Sequence, residues 1–563
     1  MARTLEPSAS ADEHRGVLVP RRPEQTLLHR IVREQLETFL ARATAGGATF
    51  PRFPEQELRA YLRCGILAHG FLRLHCDACG QDRLVPFSCK RRGFCPSCGG
   101  RRMSDVAAHL VDSVLPEVPA RQWVLTLPYP LRDRCAYDAG LTTEVLRAFT
   151  RAVFAELRRR ARRRWELRDG ACGAVTFIQR FGSALNLNLH FHTLVLDGVY
   201  ISEDRRSPRF LPLPSPSREE VARVLAGTAR RIARVLRSRA DGDEDALARD
   251  VPLLATLAAA SLRRRIATGP HTGERWRRLG DRVEPGNEDG EADPEATPRV
   301  PQYGGMSLHA EVAVPARDRE RLERLCRYVA RPPLASERLE EGPDGQLTLR
   351  LKTRWRDGTT HILMDRSELI EKLVPLIPPP RAHQVRYHGI LAPAARTRAR
   401  VVPDSGAPGP SIVESPEAAV RPTGDARAPA AAGSRGRARG LERTGESKER
   451  RDRESGAHPA QPASGDDTND RDASPRGRRR RTPWAELLQR VFGVDALRCP
   501  GCGSRMRLLA AIEEPSVIRR ILACLDLPAR APPIWSAAVA PDELAPDHDD
   551  LWGVDQTARH EDP

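Results

Sequence analysis

The sequence predicts an α+β protein with a mostly antiparallel sheet, preceded by a cysteine-rich N-terminal module. Three observations carry this. Residues 174–180 and 187–196 both read as strands and are joined by a loop containing Gly182 and Ser183, as in a β-hairpin. Further β-rich runs at 306–314, 346–352 and 359–364 are interrupted by a helical pattern between the first two. Six of the twelve cysteines crowd between Cys64 and Cys98.

In chain order, a helix is expected over residues 23–43. The cysteine block follows and ends in the basic turn Gly99-Gly100-Arg101-Arg102, and a helix continues to residue 115. Residues 121–127, rich in β-formers and closed by Pro128, predict a strand. A long basic helix over 140–168 leads into the hairpin. Ser217 and Glu220 have capping-box spacing and open a helix to about residue 239. A second helix is expected over 244–268. Its apolar run, 251–262, is too short to cross a bilayer, which takes roughly 20 residues, and reads as a buried helix. Residues 269–302 read as loop. Residues 402–481 are Pro, Gly, Ala, Ser and charge without apolar periodicity, and predict a disordered linker ending in Arg476 and Arg478 to Arg481. The resulting division is 20–115, 120–395, the linker 402–481, and a small module at 484–527.

The formal net charge of +16 comes from 91 Lys plus Arg, mostly Arg in the basic clusters. Guanidinium groups suit phosphate contacts and base stacking, so nucleic acid ranks ahead of an anionic membrane surface as the partner. An arginine excess spread over a chain rich in Ala, Pro and Gly also reflects composition. Residues 1–15 are polar and carry no export signal, so a soluble cytoplasmic protein is expected, and the cysteines are read as metal ligands over disulfides.

Four motifs carry chemistry. Cys76-x-x-Cys79 and Cys95-x-x-Cys98, fifteen residues apart, have the spacing of one four-cysteine structural zinc site, with Cys89, Cys64 and His75 as spare candidates. Lys90, Arg91, Arg92, Arg101 and Arg102 surround it and are read as touching nucleic acid. In the second strand of the hairpin, Asn188, His190 and His192 share one face, bringing two imidazoles together as a candidate metal pair on a half-buried strand. The helix 318–331 buries Leu322, Leu325, Cys326 and Val329 and groups Tyr328 with Arg324, Arg327 and Arg331. Those cations favour a phenolate and bind the phosphate it would attack. Cys499-Pro-Gly-Cys502 is half of a zinc ribbon and needs ligands from elsewhere, while Cys524 reads as a core cysteine. A DNA-contacting accessory role is expected for this last module.

Together these segments resemble the HUH rolling-circle transposases of the insertion-sequence-91 type and their common-region relatives. The likeness rests on Cys76, Cys79, Ser88-Cys89-Lys90 and Cys95-Pro96-Ser97-Cys98, on residues 181–186 followed by His190-Phe191-His192, and on residues 327–333 around Tyr328. Two-tyrosine members carry Tyr-x-x-x-Tyr where this chain has Arg324 and Tyr328, so it resembles the single-tyrosine subgroup. The resemblance implies attack of Tyr328 on single-stranded DNA to form a 5′-phosphotyrosine. Mg²⁺ or Mn²⁺ would be held by His190, His192 and a third ligand, Gln179 or Asn188, and Arg324, Arg327 and Arg331 would clamp phosphates. Structural Zn²⁺, mobile-element DNA as partner, no membrane, and a bacterial, nucleoid-associated location complete the expectation. Tyr387 is the alternative nucleophile. A zinc-dependent DNA-binding regulator without catalysis, and a replication initiator or relaxase, are the rival functions. The latter often carry a helicase domain, and no phosphate-binding Gly-x-x-x-x-Gly-Lys-Ser/Thr loop occurs here.

Overall fold

A computed structural model describes residues 22–45, 49–167, 169–201, 208–239, 250–280, 300–403, 484–492 and 495–537. The linker expected at 402–481, from residue 404 onward and including its closing arginines, lies outside the described residues. The chain begins with helices α1 (Leu27–Ala43) and α2 (Arg52–Arg63). Thr26 caps α1 through its side chain, accepting from the His29 N–H at 3.4 Å. Strands β1 (Phe71–His75) and β2 (Asp82–Pro86) form a hairpin ahead of α3 (Pro96–Ser113).

The centre of the molecule is an antiparallel sheet. It contains β3 (Ala120–Thr126), β4 (Gly173–Phe181), β5 (Leu187–Leu196), β9 (Gln302–Tyr303), β10 (Met306–His309), β11 (Ala313–Val314) and β15 (Val385–Gly389). The order is β15-β4-β5-β3-β10-β9, and β11 also pairs with β3. The hairpin of β4 and β5 is as expected, and His190 stands opposite both Gln179 and Thr126. A register shift between Gln179 and Phe181 bends β4 just past that point.

Helices cover both faces of this sheet, so β5 is buried along its length except at His190, where a half-buried strand was expected. Leu187, Leu189, Phe191 and Val195 pack into the larger core with α4 (Tyr129–Tyr137) and α5 (Ala139–Trp165). On the histidine side, Val175, Phe177, Leu194 and Leu196 meet Leu110 and Val111 of α3 and Leu322, Cys326 and Val329 of the helix Arg319–Val329. That second core seats the tyrosine-bearing helix on the histidine face.

Strands β6 (Gly198–Ile201) and β7 (Arg209–Pro212) pair before α6 (Arg218–Ser238), which opens with the expected capping box of Ser217 and Glu220. Much of the charge on α5 and α6 is internal. Glu220, nearly buried, pairs with Arg160 at 3.1 Å and Arg163 at 2.8 Å, while Glu156 holds Arg159 at 2.7 Å and Arg223 at 3.2 Å. The apolar run at 251–262 is the helix Pro252–Arg263, with Leu254, Leu257, Ala258 and Leu262 buried. No helix among the described residues is long and apolar enough to cross a membrane.

A second antiparallel sheet has the order β12-β13-β14-β8, from β8 (Arg277–Gly280), β12 (Leu339–Glu341), β13 (Leu347–Arg350) and β14 (Thr359–Met364). β8 corrects the loop expected at 269–302. Its Arg277 and Arg278 are held by Asp365 and Asp357, so partners distant in sequence make a strand of a segment without apolar alternation.

Residues 484–527 were expected as a module of their own. In the structure their strand β16 (Arg507–Ile512) pairs with β1, giving a three-stranded sheet β16-β1-β2. The helix Trp484–Phe492 reaches further. Its Arg490 binds Asp112 of α3 at 2.5 Å and Glu323 of the tyrosine-bearing helix at 2.6 Å. Cys524, expected in a core, is exposed at the end of the helix Pro515–Cys524, because Ile518 and Leu522 form that helix's buried stripe.

Candidate active site and cysteine clusters

Period-two alternation on β5 turns His190 and His192 to the same face, and their Nε2 atoms lie 2.9 Å apart. Each ring is oriented through its other nitrogen. His190 Nδ1–H donates to the backbone carbonyl of Asn188 at 2.7 Å, leaving Nε2 a lone pair. The Gln122 amide sits 2.7 Å from His192 Nδ1. Its nitrogen faces the ring. With the amide turned over in place, its oxygen would accept from Nδ1–H and the His192 Nε2 would present a lone pair to a metal. His192 is 6 % exposed, and burial, then the neighbouring His190 and Arg331 charges, lowers its pKa well below the usual imidazole range. It is therefore neutral, the protonation state a metal ligand needs.

Gln179 lies across from His190 and is 4 % exposed. Its Nε2 donates to the Val329 carbonyl at 3.0 Å, while its Oε1 is buried without a partner. Asn188 Oδ1 is also buried and unpartnered. An unsatisfied buried acceptor costs about 1–3 kcal/mol, which a cation would relieve. The donor set fits a divalent ion on two counts. It offers two imidazoles and amide oxygens, and ligands at about 2.1 Å on adjacent octahedral positions lie about 3.0 Å apart, close to the observed Nε2 spacing.

Tyr328 projects over this pair from the helix Arg319–Val329. Its ring centroid is 6.3 Å from that of His192, perpendicular to it, and the side chain is 41 % exposed. Arg331 Cζ lies 4.4 Å and Lys352 Nζ 4.1 Å from the ring centroid. Partial burial alone would raise the phenol pKa. The charges and hydrogen bonds of Arg331 and Lys352 outweigh it and bring the pKa below the ordinary tyrosine value. Of the other two arginines expected beside Tyr328, Arg324 faces outward and pairs with Glu320 at 3.4 Å, and Arg327 is half-buried on the same helix. Tyr387, expected in an irregular stretch, lies on the edge strand β15 opposite Val175, and burial raises its pKa. Strand β15 is short, Val385–Gly389, and its alternation of Val385 and Tyr387 with Arg386 and His388 went unread in the stretch that follows Pro378-Pro379-Pro380.

Eight of the twelve cysteines form two groups that differ from the spacing-based reading. Cys95 and Cys98 group with Cys64 and Cys89, not with Cys76 and Cys79, which group with Cys499 and Cys502. In each set the four sulfur atoms lie within 4.8 Å of one another. Sulfurs on a tetrahedral zinc at about 2.3 Å are about 3.8 Å apart. The measured Sγ···Sγ distances in the first set are 3.3 Å for Cys89–Cys98, 3.6 Å for Cys64–Cys98 and 3.7 Å for Cys95–Cys64. The regrouping has a local cause: Cys95 and Cys98 open α3, whereas Cys76 and Cys79 lie in the turn between β1 and β2. His75, a spare candidate, is turned to Asp82 at 2.7 Å.

Residues 31–127 match the model of the insertion-sequence-91 transposase zinc-binding domain, and residues 173–399 match that of the Y2 transposase family, together more than half of the chain. The chain belongs to the insertion-sequence-91-type transposases. No match was found among curated proteins or among solved structures.

In this transposase the zinc-binding region abuts the tyrosine segment directly. Gly99 of α3 lies against Pro332, so closely that a Cβ there would come within 2.5 Å of the proline ring. A cavity of about 70 Å³ opens beside this contact, lined by Arg92, Arg102, Gln179, Arg331 and Pro332 among others. Arg91, Arg92 and Arg101 are exposed, and Arg92 also donates to the Ala382 carbonyl at 2.8 Å. Arg102 is spent on the carbonyls of Lys90 and Arg91 at 3.2 and 3.0 Å, holding the loop that carries Cys89.

Lys352 and Gln122 were not identified from sequence. Gln122 sits on β3 in the same alternation as Val124 and Thr126, which face the histidines, so its orientation was legible once β3 was paired with β5. Lys352 carries no such signal, because it reaches Tyr328 from the bend that follows β13. Lys352→Met is expected to raise the Tyr328 pKa, since burial remains and one cation is lost. The difference in phenolate absorbance between each protein and its Tyr328→Phe counterpart measures it, and an unchanged midpoint would show that Lys352 does not act on the phenol.

Proposed function

We propose that this transposase cuts and rejoins single-stranded DNA by metal-assisted transesterification, with Tyr328 as the nucleophile. The observation that carries the reading is the placement of a cation-flanked tyrosine, its pKa lowered, over a pair of imidazoles, one of them the neutral His192, backed by the unpartnered Gln179 Oε1.

In this reading Tyr328 loses its proton to solvent, helped by Arg331 and Lys352, and its oxygen attacks the phosphorus of a phosphodiester. A Tyr–O–P bond forms as the bond from phosphorus to the 3′ oxygen breaks. The 5′ phosphate stays on the protein, and the departing 3′ oxygen takes up a proton. Reversal by a second 3′ hydroxyl rejoins the strand and releases the tyrosine. His190, His192 and Gln179 would hold a divalent ion, Mg²⁺ or Mn²⁺, which when bound polarises the non-bridging phosphate oxygens and offsets charge in the transition state. Gln179 has a second part, because its tether to the Val329 carbonyl fixes the residue next to Tyr328 relative to the histidines. Arg331 is placed to bind the phosphate under attack, with exposed Arg91, Arg92 and Arg101 along the path toward the zinc-binding region.

The test uses purified full-length protein and labelled single-stranded oligonucleotides from both flanks of its own gene, with Mn²⁺ or with chelator. A covalent adduct on a denaturing gel is expected with Mn²⁺, reduced at least about 10²-fold by chelator and by His190→Ala. An adduct that forms equally in chelator removes the metal from the mechanism. No adduct on an end sequence that demonstrably binds would favour a DNA-binding regulator without catalysis.

A further inference from the structure

We infer that Cys76, Cys79, Cys499 and Cys502 bind one Zn²⁺ together, a second structural site that staples residues 484–537 onto the N-terminal sheet. The matched zinc-binding domain spans residues 31–127 and so contains only half of these ligands. The proposal does not depend on the reading of Tyr328.

The first support is the sulfur geometry. Cys76 and Cys502 Sγ are 3.4 Å apart, and Cys79 and Cys499 Sγ 3.6 Å, near the edge length of a tetrahedral zinc–thiolate site.

The second support is that the two cysteine pairs are the same local structure built twice. Both read Cys-x-x-Cys-Gly. In the first, the Cys76 N–H donates to the Gln81 carbonyl at 2.9 Å and the Gly80 N–H to the Cys76 carbonyl at 2.8 Å. In the second, the Cys499 N–H donates to the Ser504 carbonyl at 2.8 Å and the Gly503 N–H to the Cys499 carbonyl at 2.9 Å. Gly80 has φ +73° and Gly503 φ +76°, a left-handed turn that an L side chain rarely adopts. Cys95-Pro-Ser-Cys98-Gly99 shares the spelling but not the turn, because Gly99 continues into α3. The two matched knuckles are the two halves of a zinc ribbon, separated by more than 400 residues of chain.

The third support is what surrounds them. β16 pairs with β1 from Phe71–Ile512 to His75–Arg507, Leu74 and Met506 pack with Cys76 and Cys499 in a small buried cluster, and Arg507 binds Asp77 at 2.8 Å. Four buried or converging thiols without a metal have little apolar core to hold them. On binding Zn²⁺ each thiol gives up its proton and supplies a thiolate, and no redox partner is needed. The consequence is a fixed C-terminal segment, and with it Arg490 set between Asp112 and Glu323 beside the tyrosine-bearing helix.

Native mass spectrometry of the full chain should find two zinc ions, and one in the double variant Cys499→Ser, Cys502→Ser. A parent holding one ion, or a variant still holding two, overturns the site. To read the staple itself, a protease recognition sequence is inserted between residues 404 and 483 of both proteins, which are cleaved and passed over a sizing column. The C-terminal fragment is expected to elute with the rest of the parent and apart from it in the variant. Fragments that stay together in both would show that strand pairing alone holds the segment. Should the variant fail to fold, Co²⁺ substitution of the parent decides, because two equivalents with tetrahedral thiolate spectra are expected and one would overturn the proposal.

Discussion

The Tyr328→Phe protein is expected to form no covalent adduct with single-stranded DNA while keeping the parent's circular dichroism and binding the same DNA within about tenfold. The substitution removes one oxygen from a side chain that is 41 % exposed, so packing against His192, Arg331 and Lys352 survives and the loss falls on the attacking atom. Losing a nucleophile in a covalent mechanism costs at least about 10³-fold, about 4 kcal/mol of barrier. Tyr387→Phe run in parallel is expected to leave the adduct in place. Tyr387 sits on an edge strand against Val175, and burial raises its pKa, the wrong direction for a nucleophile. An adduct that persists in Tyr328→Phe and disappears in Tyr387→Phe would move the nucleophile to β15.

The second large effect is expected from Cys98→Ser, which should cost one equivalent of zinc, lower the melting temperature by at least about 10 °C and reduce adduct formation at least about tenfold. Cys98 is 5 % exposed and lies 3.3 Å from the Cys89 sulfur and 3.6 Å from that of Cys64. Its cluster ties together the end of α2, the loop after β2 and the start of α3. Binding of a structural zinc contributes about 10 kcal/mol or more in small zinc domains, so the three segments loosen together without it. The damage should spread to the tyrosine because α3 packs on the helix Arg319–Val329 and Gly99, next to Cys98, is seated on Pro332. Metal analysis, thermal melting and the adduct gel check the three parts separately. A variant that loses zinc and stability but keeps full adduct formation would show that the zinc cluster and the tyrosine segment are uncoupled.

Much of the candidate site was legible because it rests on local periodicity. Alternation alone put His190 and His192 on one face, and the 3.6-residue repeat of 318–331 separated Leu322, Cys326 and Val329 from Tyr328. Capping chemistry placed the start of α6 at Ser217. These are properties of short windows, in which bonded geometry dictates which side chains share a face. The same windows were silent on α4 and β8, which carry little periodicity of their own and form against partners far along the chain.

Local pattern was enough for the α+β class, the histidine pair, the tyrosine helix and the presence of cysteine pairs with metal-ligand spacing. Contacts between distant segments decide which cysteines converge, bring Lys352 and Gln122 to the centre, and add β16 to the N-terminal sheet. The physical reason is range. A Cys-x-x-Cys turn fixes two ligands of a tetrahedron and leaves the other two to whatever the fold brings near, so spacing favoured the neighbouring pair while strand pairing across more than 400 residues supplied the matching knuckle.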